Sequence, residues 1–149
     1  MLYFAYADNM DIETLGSRNV TFEKVCTGRV RKFRLVFHKP GSDGTGRADL
    51  ADDHGGTVEG VVWEIPDESL DRLDVYEGVD KGHYRRVPIM VQTSRGELDC
   101  VTYRAAKFRT GLKPSREYLD LIIRGAEAHR LSAEYQTFLR SHDTMAATV

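Results

Sequence analysis

Apolar residues are grouped along this chain in short runs, separated by clusters of Gly, Pro, Asp, Asn and Ser. Runs of this length that are rich in β-branched and aromatic residues are typical of strands. They predict strands over residues 2–6, 20–39, 47–50, 57–65, 83–93 and 98–106, with Gly28 as a bend or bulge in the second strand. Residues 94–97 are predicted to form a hairpin turn, residues 40–46 a mobile loop and residues 52–56 a further turn.

The apolar spacing changes to that of a helix near the C-terminus. Ser115 follows a proline and predicts a helix start. Apolar side chains then recur at i, i+3, i+4 and i+7: Leu119, Ile122, Ile123 and Ala126. Ser132 is predicted to cap a shorter helix that turns three side chains inward: Tyr135, Phe138 and Leu139. Residues 11–15 predict one more helical turn, ended by Gly16.

This order of elements is rich in strands, with one inserted helix and a helical C-terminal end. Short connections between strands favour a mixed or antiparallel sheet. The predicted fold class is therefore α+β, with a small mixed β-barrel core and flanking helices. Residues 1–142 are predicted to form a single domain, and residues 143–149 a frayed C-terminal tail.

The inserted helix carries the first candidate for chemistry. Asp67 is a predicted N-cap, and Gly78 stands where a helix would stop. At about 100° per residue, Leu70 and Leu73 lie side by side and Glu77 falls between them. Burial on that face would raise the pKa of the carboxyl group above about 4.3, which suits it to proton transfer near neutral pH. Periodicity alone favours a simpler interpretation, in which Glu77 is the solvated last residue of a frayed helix.

A second candidate is the turn that follows the first strand. Residues 7–11 are rich in Asp and Asn, whose side chains bond to nearby backbone. A strand that turns into a helix start leaves backbone N–H groups pointing outward, where they can hold a carboxylate. The alternative is an ordinary Asx-turn. The glycines of residues 40–46 do not fit a phosphate-binding loop, because no Lys follows the last Gly.

Composition narrows the classes of partner. The chain has 149 residues, 41% of them hydrophobic and 30% charged, and a net charge of −2. These values are ordinary for a globular protein, and the charges are mixed rather than clustered, so we expect no nucleic-acid partner. The one basic cluster, residues 29–34, leads into alternating apolar residues and is explained by a strand with a partly charged outer face.

Cysteine and histidine usage argues against redox and metal chemistry. Cys26 and Cys100 both lie in strand-like runs, which favours buried, reduced thiols over a disulfide. A hydrolase that uses either thiol is a weak alternative, since neither lies at a helix start or beside a basic residue. The five histidines show no ligand spacing, so no metal site is predicted. No stretch resembles a signal peptide or a membrane span, and a cytoplasmic protein without a membrane partner is expected.

Five short stretches of the chain, taken in order, resemble the motifs of a known protein family. They are Tyr3-Phe-Ala-Tyr-Ala-Asp-Asn-Met10, Gly46-Arg-Ala-Asp49, Val58-Glu-Gly-Val-Val62, Leu73-Asp-Val-Tyr-Glu-Gly-Val-Asp-Lys-Gly-His-Tyr84, and the helical region that contains Pro114-Ser-Arg-Glu-Tyr118, Gly125-Ala126 and residues 131–139. Each motif is short, but together they cover nearly the whole chain and resemble the gamma-glutamylcyclotransferase-like family.

The resemblance implies a small β-barrel enzyme that cyclises a γ-glutamyl group to 5-oxoproline and releases an amine or amino acid. It implies a small γ-glutamyl substrate, no cofactor, and Glu77 as the general acid/base. The implied substrate-binding residues are Tyr3, Phe4, Ala5, Tyr6, Ala7, Asp8, Asn9, Met10, Tyr84 and Tyr118. Core packing is an equally good interpretation of Tyr84 and Tyr118. The sequence does not fix the oligomeric state and is compatible with a homodimer.

One departure bears on the substrate. Family members commonly carry Gly-Ser where this chain has Ala7-Asp8. Ala does not take positive φ as readily as Gly, so the loop must keep an ordinary backbone shape or store strain. Asp8 could repel a substrate carboxylate, raise the pKa of Glu77, bind the substrate ammonium group, or turn away to cap residue 11 or 12. The alternative function is therefore a non-catalytic module that binds a small metabolite on the same fold.

Overall fold

Five strands close into a mixed barrel in the computed structural model, which describes residues 1–148. The strands are β1 (Leu2–Ala5), β2 (Glu23–Pro40), β3 (Gly46–Glu64), β4 (Tyr84–Thr93) and β5 (Gly96–Ala105), and they lie in the order β1-β3-β2-β4-β5. Neighbouring strands are antiparallel except β1 and β5, which pair in parallel through Tyr3 and Val101 and so close the barrel. The predicted mixed barrel is confirmed.

Four α-helices surround this barrel within residues 1–148. They are α1 (Ile12–Gly16), α2 (Asp67–Tyr76), α3 (Arg116–Ala128) and α4 (Ala133–Arg140). Short 3-10 turns cover Asp8–Met10 and Val79–Lys81. None of the helices in this part of the chain combines the length and apolar content that crossing a bilayer requires.

The barrel core and the α3 packing follow the predicted periodicity. Phe4 and Trp63 are fully buried inside the sheet, and Leu119 and Ile122 are fully buried on the inner face of α3. Burying side chains of this size stabilises the fold by roughly 1.5–3 kcal/mol each. The sheet and its helices thus share one continuous core.

The long hairpin of β2 and β3 differs from the prediction. Residues 47–50 and 57–65 belong to one strand, and residues 52–56 do not form a turn. Asp52 pairs with Phe33 and Thr57 pairs with Arg31, so the intervening residues of β3 stand opposite Lys32 alone. The residues predicted to form a turn therefore form a bulge within the strand, and Lys32 opposite them adopts a φ of 70°.

Gly28 is not the bulge that the sequence suggested. It pairs in register with Gly60, and the register shifts lie elsewhere on β2. A Cβ atom at residue 28 would lie 2.5 Å from Val91 Cγ1 and 3.0 Å from the Gln92 carbonyl oxygen. Glycine is needed there because β4 crosses β2 closely.

Two of the three predicted helix caps agree with the structure. Ser115 accepts from the Tyr118 N–H at 3.1 Å, and Ser132 accepts from the Tyr135 N–H at 3.1 Å. Helix α2 is the exception, since its N-cap is Pro66 and Asp67 is already its first helical residue. The Asp67 carboxylate still stabilises the start of the helix, because a negative charge there interacts favourably with the helix dipole.

Two expectations for the C-terminal end are wrong. Phe138 is 38% exposed, because Tyr135 and Leu139 occupy the inner face of α4 and residue 138 falls at its margin. The tail folds back instead of fraying: the Met145 N–H donates to the Pro114 carbonyl at 2.9 Å, and the Thr148 N–H donates to the Asp43 carbonyl at 2.7 Å. Val149, part of the predicted tail, lies outside the described residues.

Candidate active site

A cavity of about 420 Å³ opens at one end of the barrel, where β1, β2 and α2 end. Its wall combines six tyrosines with groups of both charges. The tyrosines are Tyr3, Tyr6, Tyr76, Tyr84, Tyr103 and Tyr118, the carboxylates are Asp8 and Glu77, and the cations are Arg18, Lys39 and Arg47. Volumes of this order fit a small-molecule ligand.

Glu77 reaches this cavity because α2 ends there. Leu70 and Leu73 are fully buried and fix the inner face of the helix, and the Glu77 N–H donates to the Leu73 carbonyl at 2.8 Å. Gly78 then turns the chain at a φ of 67°, as predicted for the helix stop. A Cβ atom at Gly78 would lie 2.6 Å from His83 Cδ2, so glycine also permits the close return of the chain.

The environment of the Glu77 carboxyl group favours its protonated form. Burial, followed by the negative charge of Asp8, raises its pKa to about 7, although Arg18 and Asn9 oppose the shift. Asn9 Nδ2 donates to Glu77 Oε1 at 3.2 Å and to the Tyr3 hydroxyl oxygen at 2.9 Å. The predicted direction of the pKa shift is confirmed, and the interpretation of Glu77 as a fully solvated helix end is not.

The loop after β1 keeps ordinary backbone geometry. Ala7 has a φ of −131°, so alanine occupies it without the positive φ that would favour glycine. The Trp63 indole donates to the Asn9 carbonyl at 3.0 Å, and the Met10 N–H donates to the Ala7 carbonyl at 3.1 Å. Within residues 1–148, the N–H groups of Ala7, Asp8 and Asn9 have no hydrogen-bond acceptor.

Asp8 is paired with a residue that sequence reasoning missed. Arg18 Nη2 lies 2.7 Å from Asp8 Oδ2, and both side chains are largely buried. Arg18 also donates to the Asn9 side-chain oxygen and to the Tyr76 hydroxyl at 2.9 Å, with its guanidinium 4.0 Å from the Tyr76 ring centre. The side chain of Asp8 binds Arg18 and caps neither residue 11 nor residue 12, and the Asp11 side chain itself caps α1.

The predicted substrate residues divide into two groups. Tyr3, Tyr6, Ala7, Asp8, Asn9, Tyr84 and Tyr118 line the cavity, whereas Phe4, Ala5 and Met10 are buried in the core and do not. The Tyr84 hydroxyl donates to the Ala48 carbonyl at 2.8 Å, and the Tyr118 hydroxyl accepts from the Ala48 N–H at 3.1 Å. Both side chains thus line the cavity while their hydroxyls bind backbone, and a contact with substrate stays a prediction.

The cavity wall also contains residues that were not predicted. Lys39 Nζ lies 3.2 Å from His83 Nδ1. Arg47 lies 3.5 Å from Asp43 and stacks 4.7 Å from the Tyr118 ring centre. One signal was present, because Lys39 continues the odd-numbered positions that β2 turns inward, and a Lys at an inward position is unusual.

The cysteines stand apart from this site. Neither belongs to the cavity lining within residues 1–148, and both are free thiols, Cys26 being only partly buried. Burial, followed by the neighbouring Cys26, raises the pKa of Cys100 to about 11, which disfavours a thiolate nucleophile. In the same part of the chain, no three His, Cys, Asp or Glu side chains are grouped as metal ligands would be.

Known proteins resemble this chain in sequence and in fold. The profile of the AIG2-like family matches residues 57–139. The gamma-glutamylcyclotransferases of Bos taurus and Homo sapiens are each 33% identical to this chain over 146 residues, which cover 94% of this chain and 77% of theirs. A solved structure titled gamma-glutamyl cyclotransferase superposes with a TM-score of 0.93 at 30% identity, covering 100% of this chain and 91% of that one.

Proposed function

The chain belongs to the gamma-glutamylcyclotransferase-like family, and from this premise we propose that it converts a γ-glutamyl amide to 5-oxoproline, with Glu77 as the general acid/base. The observation that carries the proposal is a carboxylate whose pKa is raised to about 7 by burial, facing a cavity of ligand size. A proton carrier is most effective when its pKa lies near the working pH.

The reaction needs one group that first takes a proton and then returns it. The substrate α-amino group attacks its own γ-carbonyl carbon, a ring C–N bond forms, and the C–N bond to the leaving amine breaks. Glu77 accepts the proton that the attacking nitrogen loses and donates it to the leaving nitrogen. Because nucleophile and electrophile belong to one molecule, the site mainly has to hold the substrate folded.

The loop after β1 supplies the donors for the glutamyl group. The open N–H groups of residues 7–9 take the glutamyl carboxylate and stabilise the oxyanion that develops on the γ-carbonyl. Asn9 orients Glu77 through its hydrogen bond to Oε1. Residues of the chain fill every role in this scheme, and we expect the reaction to need no cofactor. We place the protein in the cytoplasm, where two free thiols stay reduced.

The test is release of 5-oxoproline from a panel of γ-glutamyl amino acids and γ-glutamylamines. Wild type is compared with Glu77→Gln and with Glu68→Gln, a matched change at an exposed position of the same helix. We expect turnover in wild type and Glu68→Gln, and a loss of roughly 10²–10⁴-fold in Glu77→Gln, with the circular dichroism spectrum unchanged.

Other outcomes assign the site differently. Turnover that survives Glu77→Gln contradicts the role of Glu77. If no panel member is turned over but a γ-glutamyl compound binds in calorimetry, the chain is a small-metabolite binding module on the same fold.

A further inference from the structure

Lys39 is a buried cation that lacks an anionic partner. Its residue is 9% exposed, yet no Asp or Glu oxygen among residues 1–148 lies within 4.0 Å of Nζ. Within these residues its one close polar contact is His83 Nδ1 at 3.2 Å, which accepts because an ammonium group can only donate. Buried charges are normally paired, because desolvating an ion without a counter-ion is costly.

The other charges of the cavity differ from Lys39 in this respect. Arg18 is paired with Asp8, and Arg47 is paired with Asp43. Burial and the neighbouring Arg47 lower the pKa of Lys39, while the negative charge of Glu77 acts in the opposite direction. Among the cavity residues within 1–148, Lys39 is therefore the one cationic side chain without a carboxylate partner, in the same cavity as Glu77.

We infer that Lys39 is a specificity-determining residue that binds the carboxylate of the leaving amino acid. This inference rests on the proposed function. The reacting amine and γ-carbonyl must lie at Glu77, beside the loop of residues 7–9, which holds the glutamyl carboxylate. Lys39 enters the same part of the cavity from β2, because its Nζ contacts His83, whose ring lies against Gly78, the residue after Glu77. The leaving nitrogen takes its proton from Glu77, so the carboxylate attached two bonds from that nitrogen meets Lys39. Amines without that carboxylate leave Lys39 unpaired and are disfavoured.

The test compares two substrates that differ only in this carboxylate, γ-glutamyl-alanine and γ-glutamylethylamide. The quantity measured is the ratio of their kcat/KM values for 5-oxoproline release. Lys39→Met should lower the ratio by about 10–100-fold, the effect of one charge-assisted hydrogen bond. Comparing the ratio between variants cancels the intrinsic difference between the two leaving groups.

Two further variants keep the test specific. Lys39→Arg retains the charge and should keep most of the preference for γ-glutamyl-alanine. Lys24→Met removes an exposed cation from the same strand, outside the cavity, and should leave the ratio unchanged. Methionine at residue 39 keeps the length of the side chain without a buried charge, so we expect the variant to fold.

An unchanged ratio in Lys39→Met, or an equal loss on both substrates, overturns the inference, because Lys39 would then serve the glutamyl group or the fold. If wild type releases 5-oxoproline from neither compound, the proposed function fails instead. In that case, calorimetric Kd values for the same two compounds test whether Lys39 binds the carboxylate. The inference predicts that wild type binds γ-glutamyl-alanine more tightly than γ-glutamylethylamide and that Lys39→Met loses this preference.

Discussion

Two parts of the cavity wall, the acidic side with Asp8 and Glu77 and the basic side with Lys39, satisfy their charges in different ways. On the acidic side, Asp8 is held by Arg18, and Glu77 accepts a hydrogen bond from Asn9. On the basic side, the one close polar contact of Lys39 within residues 1–148 is the ring nitrogen of His83. The acidic side is thus organised before a ligand arrives, whereas Lys39 has no carboxylate within 4.0 Å in the same part of the chain. In the proposed function, this difference separates the group that transfers the proton from the group that selects the substrate.

Breaking the Asp8–Arg18 pair should have the largest effect on the stability of the protein. Arg18→Met leaves the buried carboxylate of Asp8 without a counter-ion, and breaking a buried pair typically costs about 3–5 kcal/mol. We expect that loss in the free energy of unfolding measured with urea at pH 7. The double variant Asp8→Ser with Arg18→Met should recover a large part of it.

An exposed pair provides the control for this prediction. Arg116 and Asp120 lie 3.3 Å apart on the surface of α3, and Arg116→Met should cost roughly 0.5 kcal/mol or less. If Arg18→Met costs no more than Arg116→Met, Asp8 does not depend on Arg18 and the acidic side is not organised in advance.

Glu77 should limit stability at high pH. Its pKa is raised from 4.5 to about 7, so the folded state binds the proton more tightly and the free energy of unfolding falls as pH rises between those values. Glu77→Gln removes this penalty and should stabilise the protein on the order of 2 kcal/mol at pH 8, after allowance for partial exposure, with little effect at pH 4.5. Urea unfolding of both proteins at the two pH values measures the difference; a gain of equal size at both would refute the link to ionisation.

Removing the charge of Asp8 should change the pKa of Glu77 in a known direction. Asp8→Ser takes away a negative neighbour and leaves Arg18 unpaired, and both changes favour the carboxylate. We expect the pKa of Glu77 to fall by roughly one unit, measured by NMR titration of its side-chain carboxyl carbon. A rise in that pKa would show that Asp8 does not act on Glu77 through its charge.

Tyr84 should give the smallest effect. Its hydroxyl already donates to the Ala48 carbonyl, so Tyr84→Phe should cost about 1 kcal/mol of stability and change KM less than twofold. Urea unfolding and steady-state kinetics measure the two quantities. A tenfold rise in KM would instead mean that the hydroxyl contacts the substrate.

The same contrast explains how much the sequence could predict. Glu77 was found because helix periodicity is local, and Leu70, Leu73 and Gly78 fix the face and the end of α2. Arg18 was missed because its partners come from a turn and a distant helix, and no repeat along the chain connects them. Lys39 was not predicted, although its inward position on β2 was a signal in the sequence. The absence of a nearby carboxylate within residues 1–148 depends on the whole cavity wall.

The bulge opposite Lys32 shows a second limit. The segment of residues 52–56 has the composition of a turn, and local propensity predicts one there. Pairing with β2 on both sides of the segment overrides that propensity, and the extra residues are accommodated inside the strand. The barrel could be predicted from element order and resemblance, whereas the register of its longest hairpin could not.

The pH dependence of kcat/KM for wild type tests the role of Glu77 most directly. Only the ionised carboxylate can accept a proton, so kcat/KM should rise tenfold per unit at acidic pH and level off near pH 7, in step with the raised pKa of Glu77. A kcat/KM that is constant between pH 5 and 8 would contradict Glu77 as the base.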